Sequence, residues 1–112
     1  MGLRTLPTDV ARPLTSLIDD AEPGRVSSRS LTRLSDVCQI MLLSFAAGES
    51  VSDEEYPADT MYYLLEGCAG ITFAQEGRAP VPLAAGEVLL VPAGVRHAVE
   101  PAGAIKRLQL SL

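Results

Sequence analysis

Scarcity marks this sequence. In 112 residues it holds one histidine, two cysteines, one lysine, five aromatic residues, no tryptophan and no asparagine. A zinc site built on several histidines cannot come from one such chain, nor can a zinc finger or a four-cysteine cluster. Cys38 and Cys68 are too few for a disulfide framework, which points to a reducing compartment. Without asparagine there is no N-glycosylation acceptor and no Cys-His-Asn triad. Basic residues number 9 against 14 acidic ones, a formal charge of −5. That balance speaks against nucleic-acid binding, which needs clustered Lys and Arg against phosphate. Long apolar runs are missing too, and nothing approaches the ~20 residues of a membrane span. Residues 1–12 alternate polar and apolar types and do not read as a secretory signal. A soluble cytoplasmic domain is therefore expected.

What is present is ample material for one core, since 47% of the residues are hydrophobic. The length fits a single domain. Residues 1–24 read as an arm, broken by Pro7, Pro13 and Pro23 and closed by Glu22-Pro23-Gly24. Leu14, Leu17 and Ile18 stand at helical spacing, so the arm has room for one short helix. From Arg25 to Leu112 the pattern changes to short apolar runs cut by Gly and Pro. Strands are expected over 25–33, 36–46, 61–66, 69–75, 80–83, 87–91, 96–100 and 104–111. Short strands with frequent turn signals predict an all-β fold, an antiparallel sandwich or barrel. Gln75-Glu76-Gly77-Arg78 reads as a hairpin turn.

Two strands are apolar on both faces. In 37–45, Val37, Met41, Leu43 and Phe45 alternate with Cys38, Ile40 and Leu42. In 61–65, Met61, Tyr63 and Leu65 alternate with Tyr62 and Leu64. Burial on both faces is implied, yet a small barrel has one inside. A second sheet or a second subunit is the expected cover, making a homodimer the expected assembly. Cover by residues 1–24 is the alternative.

The strongest local pattern is Gly86-Glu-Val-Leu-Leu-Val-Pro92-Ala-Gly94-Val-Arg-His97. A turn leads into a buried strand, Pro92 ends its ladder, and His97 opens the returning strand on one face with Val95 and Val99. This string resembles the second motif of the cupin superfamily through His97, with Pro101 at that motif's final Asn. Upstream, Gly48 and Gly67 stand at the separation of the first cupin motif, and Tyr62-Tyr63-Leu64-Leu65-Glu66-Gly67 is similar to its closing strand. The resemblance covers about residues 25–112 and implies a small antiparallel β-barrel, a double-stranded β-helix of jelly-roll type.

The resemblance also implies a metal site of three His and one Glu for Fe, Mn, Ni or Zn. Here His97 alone keeps its type, while Glu54 and Tyr56 stand at two His positions and Thr60 at the Glu position. Glu54 and His97 together would hold a divalent ion weakly. The candidate ligand pocket is His97, Glu54, Tyr56, Thr60 and Tyr62. Glu54 beside His97 would form a charged pair. Alternatively, His97 bonds to Tyr56, Tyr62 or Glu54 as a structural histidine. Asp53-Glu54-Glu55 also reads simply as a solvated loop cluster, and Arg96 as a surface charge. Three functions compete: a barrel that binds a small polar molecule without tight metal binding, a metal-dependent oxygenase or isomerase, and a metal-free His/Tyr acid–base enzyme of the epimerase kind. The depleted ligand set favours the first.

Overall fold

The computed structural model describes residues 2–33 and 35–112. Among them nine strands form, in chain order β1 (Val26–Ser30), β2 (Gln39–Phe45), β3 (Val51–Glu54), β4 (Thr60–Glu66), β5 (Cys68–Phe73), β6 (Val81–Ala84), β7 (Val88–Val91), β8 (His97–Pro101) and β9 (Ile105–Ser111). They pair antiparallel throughout, in a five-stranded sheet ordered β1-β2-β9-β4-β7 and a four-stranded sheet ordered β3-β8-β5-β6. Two such sheets facing each other make the expected jelly roll. None of the described helices is long and apolar enough to cross a membrane.

The core lies between the sheets. Phe45, Leu64, Ile71, Val91, Val99 and Ile105 are all buried there with Tyr62. Each such aliphatic side chain contributes about 1.5–3 kcal/mol by leaving water. The β5–β6 hairpin closes at the expected turn, where Arg78 N donates to Gln75 O at 3.2 Å. The turn from β4 to β5 requires glycine for two reasons. Gly67 has φ +82°, and a Cβ there would stand 2.5 Å from the Ala104 carbonyl oxygen. Any side chain would meet both a steric and a conformational penalty.

Two expectations change. The first concerns the two-faced strand β2. Its inner face carries Phe45 and Leu43 into the core, and its outer face carries Leu42 and Ile40 into a second apolar cluster. That cluster is completed by Leu6, Leu14, Leu17 and Ile18 of the arm, the alternative cover. The arm's helix is one 3₁₀ turn, Leu14–Leu17, too short to stand without this packing. Two cations pin it. Arg29 donates to the carbonyls of Leu17 and Thr5. Lys106 donates to Thr15 O at 3.1 Å and lies 3.2 Å from the Asp20 carboxylate.

The second change is β3. Val51-Ser-Asp-Glu has no apolar alternation to announce a strand, yet it pairs with β8, placing Glu54 opposite His97. The residues read as a solvated acidic loop thus include one buried carboxylate, Glu54, beside exposed Asp53 and Glu55.

On the outer face of β4 and β7, beyond the arm, Val88 and Leu90 remain 58% and 59% exposed. They stand opposite Tyr63 and Met61.

Candidate functional site

The inner faces of β2 and β9 run in register from apolar to polar. Phe45 stands opposite Ile105, Leu43 opposite Arg107, Met41 opposite Gln109, and Gln39 opposite Ser111. The core therefore grades into a polar mouth at the end where β2 begins and β9 ends. Arg107 and Gln109 were not among the sequence candidates, and they prove central.

Arg107 is buried inside the barrel. Its Nη2 donates to Glu54 Oε1 at 2.9 Å and to Gln109 Oε1 at 3.0 Å, and Nη1 lies 3.5 Å from Glu54 Oε2. The guanidinium carbon lies 4.9 Å from the centre of the Phe45 ring and 4.8 Å from that of Tyr62, so two aromatic faces add cation–π attraction. Only Nε lacks a hydrogen-bond partner. A buried charge is tolerable when paired and hydrogen-bonded, and Glu54 supplies both requirements.

Tyr56, from the loop after β3, donates to Glu54 Oε1 at 2.8 Å. Its hydroxyl is held above its usual range, first by burial, then by the Glu54 hydrogen bond and charge. A hydrogen bond from Gln109 and the charge of Arg107 pull it the other way. A linked circuit results: Tyr56 donates to Glu54, and Arg107 donates both to Glu54 and to Gln109.

His97 takes no part in that circuit. Its Nδ1 lies 2.9 Å from Val95 O and its Nε2 lies 2.7 Å from the Tyr62 hydroxyl. A carbonyl can only accept, so Nδ1 carries a proton, and in the neutral ring Tyr62 donates to Nε2. The rings of Tyr62, Tyr56 and Phe73 surround the imidazole. Tyr62 is pushed far above its usual range, first by burial and then by the Glu54 charge, with Arg107 opposing.

The sequence candidates thus separate. Glu54 and His97 are neighbours in register, as the motif alignment implies, but the expected charged pair between them does not form. Glu54 turns to Arg107 and Tyr56, and His97 to Tyr62 and Val95, the structural-histidine alternative. Thr60, also buried, bonds to the Ser111 hydroxyl at 2.9 Å and to none of the other four candidates. Arg96 is a surface charge, 3.9 Å from the Glu55 carboxylate. Both cysteines are free.

The metal site implied by the resemblance can be tested on these donors. Both Glu54 oxygens face Arg107, and both His97 nitrogens are hydrogen-bonded. A cation placed beside Glu54 would meet the guanidinium there and repel it. Among the described residues no group of three or more His, Cys, Asp or Glu is arranged to hold an ion. The donor set does not fit a tightly held metal.

A cavity of about 290 Å³ opens at the mouth. Its polar lining is Gln39, Tyr56, Gln109 and Ser111, and its apolar walls are Val37, Met41, Pro57 and Ala58. Larger hollows, of about 540 and 430 Å³, lie along the arm and β1. They are open gaps beside packed chain, and in their polar linings Arg29 and Asp20 are already taken by the arm's carbonyls and by Lys106.

No protein-family model matches the chain, and no curated protein matches it significantly. Solved structures do. A cupin superfamily protein from Desulfitobacterium hafniense is 45% identical, with a TM-score of 0.92, covering 100% of this chain and 98% of that one. A conserved protein of unknown function from Streptococcus pyogenes is 26% identical, with a TM-score of 0.87 and coverage of 100% and 94%. A cupin 2 conserved barrel domain protein from Leptotrichia buccalis shares the fold at 24% identity and a TM-score of 0.77, over 88% of this chain and 46% of that one. With 45% identity along its whole length, the chain belongs to the cupin superfamily.

Proposed function

We propose that this cupin barrel binds a small polar molecule at its mouth and does not hold a metal tightly. The observation that carries the reading is the Glu54–Arg107 contact of 2.9 Å beneath a cavity lined by Tyr56 and Gln109. A carboxylate at a family ligand position is spent on an internal cation, while the polar groups above it remain within reach of a bound molecule. Neither enzyme reading gains comparable support. The metal-dependent one needs ligands that are already engaged. The acid–base one needs a His–carboxylate pair with Tyr62 or Tyr56 as the acid, but Glu54 bonds to Arg107 and Tyr56 while His97 bonds to Tyr62 and Val95.

The proposal extends to setting and assembly. Two free cysteines suit the reducing cytoplasm. A second copy of the chain is the proposed cover for Val88 and Leu90, because an apolar patch on a sheet face beside an edge strand suits an isologous contact.

A crystal structure of protein purified without a histidine tag tests the binding reading. The expected result is density for a small molecule in contact with Tyr56 or Gln109. An anomalous metal peak coordinated by His97 and Glu54 would overturn it.

A further inference from the structure

Resting on that reading of the mouth, we infer that the bound molecule is uncharged, with an apolar body and one neutral hydrogen-bonding group of amide or alcohol type. The geometry assigns recognition of that group to Gln109 and Tyr56.

An arginine at the centre of a barrel first suggests an anionic ligand. The surroundings of Arg107 argue otherwise. Its charge is cancelled by Glu54, and both side chains are nearly inaccessible, at 2% and 4% exposure. Neither lines the cavity. Among the described residues, those that do include no Asp, Glu, Lys or Arg. A carboxylate or ammonium entering this space would leave water without meeting an opposite charge, an unfavourable transfer. A neutral polar group loses far less, provided that its hydrogen bonds are replaced.

The mouth offers such replacements. Gln109 uses its carbonyl oxygen to accept from Arg107, which leaves its amide nitrogen as the donor on the cavity lining beside Tyr56. An amide nitrogen carries two N–H groups, so a donor is at hand for a ligand. Tyr56 directs its hydroxyl hydrogen to Glu54 in a hydrogen bond, so toward a ligand its oxygen serves as an acceptor. One donor thus stands beside one acceptor, which matches the C=O and N–H of a carboxamide or the two roles of a hydroxyl. Met41, Val37 and Pro57 provide the apolar wall for the rest of the molecule.

The methionines report on the site. Met41 lines the cavity, and Met61 lies on the outer face of β4 as an internal control. With methyl-labelled methionine, the full chain is titrated with three probes of similar shape: cyclohexanecarboxamide, cyclohexanecarboxylate and cyclohexylmethylammonium. The expected result is a saturable shift of the Met41 methyl with the carboxamide, none at Met61, and at least about tenfold weaker binding of the two ions. Gln109→Leu and, independently, Tyr56→Phe are expected to weaken carboxamide binding about tenfold, the worth of one hydrogen bond. Equal or tighter binding of either ion at Met41 overturns the neutral-ligand inference and leaves the mouth as a binding site. No shift of Met41 with any probe contradicts both.

Discussion

Glu54 and Arg107 lie 53 residues apart in the chain and meet at 2.9 Å inside the barrel. One side chain comes from the four-stranded sheet and the other from the five-stranded sheet, so the pair ties the two layers together. Removing one partner strands the other charge in the interior, which costs about 3–5 kcal/mol. Glu54→Ala and Arg107→Ala are each expected to destabilise the fold by that order in urea denaturation. The double variant Glu54→Ala/Arg107→Ala is expected to lose less than the sum of the two singles. Strict additivity in the cycle would show that the pair is not coupled.

Tyr56 and Tyr62 predict a specific alkaline behaviour. Both hydroxyls are held above their ordinary value of 10.0 in the folded protein. A group whose folded pKa is raised keeps its proton when the unfolded chain has already lost it. The folded state then binds more protons, and stability falls as pH rises above 10. Below that value the contribution is fully present. Tyrosinate absorbance at 295 nm is expected to lag in folded protein between pH 10 and 11 and to jump on unfolding. Full titration of all tyrosines around pH 10 without loss of structure would contradict the geometry.

The arm is an integral layer, and its removal has a price in stability. Ile18 is buried against Leu31 and Leu42, and Ile18→Ala is expected to cost about 2–5 kcal/mol. Arg29→Met removes the donors to Leu17 and Thr5. Faster amide exchange over residues 14–18 is expected, with the strands little changed. Unaltered exchange there would show that the pin is dispensable.

The proposed second copy is checked by mass in solution. Light scattering is expected to give twice the chain mass, and Leu90→Glu to give monomer, because a charge in an apolar contact is penalised without a partner. A monomer at all concentrations in the unaltered protein would contradict the dimer.

The sequence was legible where local chemistry decides structure. The turn at 75–78 and the strand Val88–Val91 followed from glycine, proline and apolar spacing, but the burial expected for that whole strand did not, since Val88 and Leu90 face outward and are exposed. It was opaque where tertiary contact overrides pattern. In β9, Ile105, Arg107, Gln109 and Ser111 share a face, and Leu108 and Leu110 share the other. Binary pattern points the leucines inward. The arm reverses that logic: it covers Leu108 from outside, while Glu54 and Tyr56 satisfy the polar face from within. β3 was missed for the same reason, since Glu54 is buried by its distant partner and not by its neighbours. An inward arginine calls for an inward carboxylate, and that link could have been drawn from Glu54 only with the register of β9 in hand.

The central claim is that the carboxylate of Glu54 serves an internal guanidinium and not a metal. Loading tag-free protein in turn with Fe(II), Mn(II), Ni(II) and Zn(II), removing excess ion and measuring bound metal by mass spectrometry tests it most directly. The account predicts far less than one ion per chain, unchanged in His97→Ala. Near-stoichiometric metal that is lost in His97→Ala would contradict it.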